Sequence, residues 1–261
     1  GLTNYVIARA ALLAVEAEGA NASTYFATAS AACDRMLSAG ASLMTEDQYV
    51  QKQSGVTTID GVDYPVWEAK TCGFMNFELN PEALYGFGWQ YGGGGQIVTY
   101  ANTWGGSYRI DDRLYNKIDP NDYRKDNFHP QIPADFPTIS YAGASSFIDG
   151  GTSEVPTYWT SKFTNNVGLG GKVGNSNVTV RNRVDYAFIR LSEIYLMKAE
   201  IQARTGDEGG AKNTLNTLLN ARTKAGATPL TCDNYQGMSG LSALQMVQLQ
   251  SRIELWGEGG L

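Results

Sequence analysis

Five carboxylates crowd one short stretch of the chain, RIDDRLYNKIDPNDYRKDNF (109–128), at Asp111, Asp112, Asp119, Asp122 and Asp126. Such a density could hold a divalent cation or supply an acid/base pair. Read as calcium ligands, Asp119-x-Asn121-Asp122 lacks the glycine and the bidentate glutamate of an EF-hand loop. Read as a glycosidase pair, the cluster needs two carboxylates facing each other across a cleft, which spacing does not fix. Arg109, Arg113, Arg124 and Lys125 are interleaved with the acids, so a salt-bridged turn region is the third and plainest reading.

Other catalytic signals are weak. His129 is the single histidine, set in NFHPQIP with no cysteine beside it, and reads as a packing imidazole. GLGGKVG (168–174) has Val173 where a phosphate loop requires Ser or Thr. There is no G-x-S-x-G elbow. Cys33, Cys72 and Cys232 are widely spaced, with no CxxC pair, and suggest neither a disulfide framework nor a zinc site. No catalytic residue, metal ligand or cofactor is assigned from these signals, and the aspartate stretch keeps its three readings.

The stronger chemical signal is aromatic. GFGWQYGGGGQIVTYANTWGGSYR (86–109) sets Trp89, Tyr91, Trp104 and Tyr108 among glycines, with Gln90, Asn102 and Arg109 close by in sequence. Flat rings pack against the C–H faces of sugars while polar neighbours fix orientation. The candidate ligand-binding set is Trp89, Tyr91, Asn102, Trp104, Tyr108 and Arg109. The competing reading makes the same rings ordinary core.

What must position these residues is a helical frame. Residues 1–40 read as a helical hairpin, with Val6, Ala10, Leu13 and Ala17 on one face of its first helix and a break at Glu18–Thr24. Its second helix ends at Gly40, suited to a position past the C-cap. DYAFIRLSEIYLMKAEIQARTGD (185–207) reads as a helix buried on several sides, with Arg190/Glu193 and Glu200/Arg204 spaced to pair along one stripe. A second helix runs to Ala225–Gly226, closing a hairpin over 185–226 in which Ala199 and Ala211 allow close approach. A last helix follows within 241–259. Between the hairpins, 41–184 is loop-rich, holds all but one of the 8 prolines, and has at most short strands such as QIVTYA (96–101). Long loops inside a compact unit are usually functional.

Composition sets limits. The net charge of -6 and pI near 4.9 leave no basic stripe for a phosphate backbone, so nucleic acid is not an expected partner. No run of apolar residues reaches the length of a membrane-spanning helix. The chain opens within one helical pattern and closes soon after another, so both ends are expected to be cuts in a longer protein.

Several landmarks recur in the order of a known family. LNPEALYGFGWQ (79–90) is similar to a segment with a small acidic turn and an apolar strand. DDRLYNKIDPNDYRKDNF (111–128) is similar to an "lyn…D.R" element, and YWTSKF (158–163) to a "y…Kf" element. The 185–207 segment resembles an "iRlaEvyLm.AEa…g" helix, LLNARTKAGATPL (218–230) a "vR.RAg…l" turn, and SRIELWGEG (251–259) an "ER..EL.fEG" helix. Together they resemble the SusD/RagB family of nutrient-binding lipoproteins of Bacteroidota. The resemblance implies a mainly all-α fold of tetratricopeptide-like hairpins with a long irregular, loop-rich insertion containing a few short strands, in one domain over 1–261. It implies a binding protein and not an enzyme. The expected role is capture of glycans at the cell surface and delivery to a SusC-like TonB-dependent transporter, with a lipid anchor on the outer membrane in a part of the protein outside this sequence. Two other readings stay open: the same architecture binding peptides, and a helical-repeat module binding proteins.

Overall fold

The computed structural model describes residues 2–17, 19–50, 52–59, 62–68, 74, 80–87, 110–130, 158–160, 162 and 186–258. These residues are mostly helical, with a few short strands.

Helices α1 (Leu2–Ala17) and α2 (Ala22–Leu37) form an antiparallel hairpin across a short 3-10 turn at Gly19–Asn21. The packed face of α1 is not the expected one. Val6 is 53% and Leu13 62% exposed, while Ala8, Ala11 and Leu12 are buried. Apolar residues encircle α1 almost completely, so periodicity alone cannot choose a face. Small residues decide it: Ala8 and Ala11 let α2 approach with its own Ala29 and Ala32, which a wider side chain would hold off. The tie to the rest of the fold lies on the same side, where the Tyr5 hydroxyl and the Arg9 guanidinium donate to the Glu193 carboxylate at 2.9 and 2.5 Å.

The second hairpin is α5 (Leu191–Arg204) and α6 (Glu208–Ala221), closed by α7 (Ala243–Glu254). α5 is the centre of the molecule. Its Ile194, Met197 and Ile201, at i, i+3 and i+7, bury against α1 and α2. Leu196 and Ala199 turn the other way, into a cluster with Leu215, Leu218 and Leu219 of α6 and Met246 and Val247 of α7. Full burial of each large apolar side chain contributes about 1.5–3 kcal/mol. α6 is capped by Asp207, whose side chain accepts from the Gly210 amide at 2.8 Å. α7 begins with a capping box between Ser242 and Gln245.

The helix expected over 185–207 starts late. Residues Tyr186–Arg190 are a strand, β6, and α5 begins only at Leu191, with Arg190 in the N-cap position. The cause is tertiary. β6 pairs antiparallel with β3 (Ala83–Phe87), and the Leu191 amide donates to the Glu82 carbonyl at 2.8 Å. A neighbouring strand overrides helical periodicity. Two further pairs complete the sheets among the described residues: β1 (Lys52–Ile59) with β2 (Val62–Glu68), and β4 (Phe128–His129) with β5 (Trp159–Thr160). Single helical turns, α3 (Glu46–Tyr49) and α4 (Asp112–Tyr115), link these pieces.

Candidate functional site

Trp89, Tyr91, Asn102, Trp104, Tyr108 and Arg109 all lie outside the described residues, as does the segment 96–101. The structure describes instead what holds the two ends of that aromatic segment. On entry, Phe87 is the last residue of β3 and pairs with Tyr186 of β6. On return, Ile110 is buried and its amide donates to the Tyr158 carbonyl at 3.2 Å. The same neighbourhood anchors the ends of 131–157, because His129 pairs with Trp159.

Behind these anchor points sits a buried ionic cluster. Arg124, Lys162, Arg190 and Arg222 are each at most 1% exposed, and Glu82, Asp122 and Glu254 are fully buried. Glu258 joins them, making four cations against four carboxylates. Glu254 is the hub: its two oxygens accept from Arg222 Nη2 and Nε at 2.8 and 3.0 Å, from Arg190 Nη1 and Nη2 at 3.1 Å, and from Arg124 Nη1 at 2.9 Å. Glu82 accepts from Arg190 Nη1 at 2.6 Å, Arg222 Nη2 at 2.5 Å and the Met44 amide at 2.7 Å. Glu258 accepts from Arg190 Nε at 2.7 Å and Lys162 Nζ at 2.5 Å. Asp122 accepts from Arg124 Nε and from the Tyr235 hydroxyl, at 2.9 and 2.8 Å.

Aromatic faces line the cluster. The Arg190 guanidinium lies 5.0 Å from the Phe74 ring centre, and that of Arg222 4.7 Å from the Tyr49 ring centre. Lys162 also donates to the Glu254 and Trp256 carbonyls at 2.8 and 3.1 Å, so it caps the C-terminus of α7 with a positive charge.

The electrostatics are those of a lock. Burial alone would raise the Glu254 carboxyl, but Arg222, Arg190 and Arg124 hold it well below the usual carboxylate range. Burial opposes the charge on Arg190 and Arg222 in the same way, and their carboxylates more than reverse it. Each carboxylate of the cluster is occupied by guanidinium, ammonium, amide or hydroxyl donors, and its charge is already matched. Glu254 and Glu258, both held below the usual carboxylate range by their cations, stay charged at neutral pH and contribute by fixing geometry.

The aspartate stretch divides accordingly. Asp122 belongs to the cluster. Asp119 accepts from the Asn121 and Gln236 amides at 2.8 and 2.9 Å, and Asp126 from Lys224 Nζ at 2.7 Å. Asp111 accepts from Arg113 on the surface, at 2.9 and 2.7 Å. This is the salt-bridged turn region. His129 is held neutral by burial, its pKa pushed down to about 4.

Arg190 and Glu193 do not pair as their spacing suggested. Arg190 serves the cluster from the end of a strand, while Glu193 faces Arg9 and Tyr5. Glu200 and Arg204 do pair, at 3.0 Å. The signal for the cluster was present but dispersed: each segment quoted above supplies a member, namely Glu82, Asp122 with Arg124, Lys162, Arg190, Arg222, and Glu254 with Glu258. No spacing rule joins residues so far apart. Elsewhere, a groove of about 1240 Å³ runs between α5, α7 and the turn at α4, edged by Arg9, Glu200, Leu249, Arg252 and Trp256.

The sequence model of the SusD family matches residues 75–260. Solved structures with the same fold include a SusD homolog from Bacteroides thetaiotaomicron VPI-5482, 16% identical with a TM-score of 0.57, the match covering 98% of this chain and 48% of that one. A SusD superfamily protein from Parabacteroides distasonis ATCC 8503 is 13% identical with a TM-score of 0.55, covering 98% and 49%. A SusD-like carbohydrate binding protein from Bacteroides vulgatus ATCC 8482 is 21% identical with a TM-score of 0.51, covering 98% and 43%. The chain thus spans slightly under half the length of these structures. Among curated proteins none matches the chain.

Proposed function

The chain belongs to the SusD family, and on that footing we propose that it is the glycan-capturing part of a surface nutrient-uptake complex. Proteins of this family are generally lipoproteins of the outer membrane. Among the described residues no helix is long and apolar enough to cross a membrane; on the family reading, a lipid anchor supplies the membrane association. The captured oligosaccharide is handed to a SusC-like TonB-dependent transporter. On this reading binding, not bond cleavage, is the chemistry.

The observation that carries the reading is the pairing of an aromatic, glycine-rich segment with a rigid frame at both of its ends. Trp89, Tyr91, Trp104 and Tyr108 supply ring faces for pyranose C–H surfaces, and Asn102 and Arg109 supply hydrogen bonds to hydroxyls. The test is Trp104→Ala, with binding to oligosaccharides measured by calorimetry and the melting temperature measured alongside. The variant melts as the parent does and binds about tenfold or more weaker, the scale of losing an aromatic anchor. An unchanged isotherm refutes the assignment of Trp104. Capture of peptides with no capture of glycans replaces the ligand class.

A further inference from the structure

α1 has two apolar faces, and the fold described above uses one of them. Ala8, Ala11 and Leu12 are buried in the cluster shared with α2 and α5. On the other side Leu2, Val6 and Leu13 are 42%, 53% and 62% exposed, with Ala10 and Ala17 exposed beside them. Val6, Ala10, Leu13 and Ala17 follow one another at spacings of 4, 3 and 4 residues, the rhythm of a seam that pairs with another helix. Arg9 and Glu16 edge this stripe, the first donating to Glu193 at 2.5 Å and the second accepting from Arg204 at 3.4 Å.

We propose that the Leu2, Val6, Leu13 face of α1 is the docking surface for a further α-helix of the same polypeptide, from the part of the protein outside this sequence. The inference concerns the fold and stands whatever the ligand is. In stacked helical hairpins the terminal unit shows a polar outer face, because no neighbour covers it. α1 shows an apolar one, with alanines that admit close approach, so the α1–α2 hairpin is built as an internal unit. Proteins of this fold also contain the chain for it. The solved structures match 98% of this chain with only 43–49% of their own length, so more than half of each lies outside the match.

Other occupants suit the face less well. α1 has 16 residues, so it is about 24 Å long and about 10 Å wide and offers on the order of 250 Å². A second copy would need roughly 800 Å² per partner. A tethered helix meets the face at high effective concentration and does not need that area. The ion pairs along the edge, of both signs, match the polar rim of a protein contact and would be costly against lipid.

The test uses the full-length protein. Benzoylphenylalanine in place of Leu13 is photolysed and the adduct mapped by mass spectrometry. The expected product runs as a monomer and joins position 13 to a peptide outside residues 1–261. In parallel, Val6→Asp and Leu13→Asp each lower the melting temperature by several degrees, while the volume-conserving Leu13→Met leaves it within about 2 °C. A cross-link to a peptide within 1–261, to a second copy, to another protein or to lipid overturns the assignment. So does the absence of any adduct, or melting of both aspartate variants with the parent, as substitutions on a solvent-facing surface would give.

Discussion

Replacing Glu254 by alanine removes the one carboxylate that meets three buried guanidiniums. In the native protein its oxygens lie 2.8 to 3.1 Å from nitrogens of Arg124, Arg190 and Arg222, and all four residues are at most 1% exposed. Without it the cluster holds four cations against three acids, with the surplus charge buried. Breaking a buried pair by deleting one partner costs about 3–5 kcal/mol. Total stabilities run at about 5–15 kcal/mol, so the loss is a large share. A chain of this size loses about 2–4 °C of melting temperature per kcal/mol, which predicts a fall of roughly 10 °C.

Glu254→Gln separates charge from volume. It keeps the shape and one acceptor, but turns an amide donor toward guanidinium donors, so it should lose nearly as much as alanine. Thermal melts followed by circular dichroism read both variants. The acid limb gives an independent signature. The folded pKa of Glu254 lies well below the usual value, and that of Glu258 is also depressed. The unfolded chain therefore takes up these protons first. The stability these groups contribute is complete above the ordinary glutamate range and is lost as pH falls through it toward the folded values, at up to about 1.4 kcal/mol per pH unit for each group. Glu254→Gln should flatten that limb by one group's share. A glutamine variant that melts within about 2 °C of the parent, or keeps the full acid slope, refutes the assignment of Glu254 as hub.

Two further perturbations probe the frame. Gly237→Ala places a Cβ against the backbone carbonyl of Lys117, which has no flexible end to swing away, so the variant should lose about 1–3 kcal/mol and melt several degrees lower. His129 should show no titration between pH 5 and 8 when its ring protons are followed by NMR; because its folded pKa of about 4 lies below the unfolded value, stability declines as pH falls between the two, and a midpoint near 6.5 refutes its burial.

Much of the helical frame was legible in sequence because its signals are local. Gly40 adopts a positive φ of 84° just past the end of α2, as a glycine after a helix should, whereas α6 stops at Ala221 and Gly226, with φ 81°, serves the turn from Lys224 to Ala227 beyond it. Ser242 and Gln245 mark the start of α7. What escaped is non-local. The face of α1 was ambiguous because Val6 and Leu13 are as apolar as Leu12, and only the packing of α2 and α5 separates them. YAFIR is compatible with helix or strand until β3 lies beside it, so periodicity alone extends the helix across β6. The spacing of Arg190 and Glu193 fits a pair, yet acids 64 and 108 residues distant hold Arg190. Of the site, the sequence offers six residues between 89 and 109, and the structure describes the anchors at either end of that segment.

The placement of the ionic cluster has a consequence for binding. Apolar contacts are non-directional, and a strand end held by them alone can slide or rotate at little cost. Guanidinium–carboxylate pairs fix both distance and plane. Arg190 at the end of β6 and Lys162 just after β5 are tied directly to Glu254 and Glu258 near the end of α7, and Glu82, at the start of β3, is joined to Glu254 through the Arg190 and Arg222 guanidiniums that both accept from. One hub therefore sets the relative positions of strands from which 88–109, 131–157 and 163–185 depart or to which they return. Fixing the ends of a long segment in the fold lowers the entropy that closing it costs. The segments carrying the family resemblance are then the clamp, and on the proposed reading the aromatic segment between its fixed ends is where ligand choice would reside.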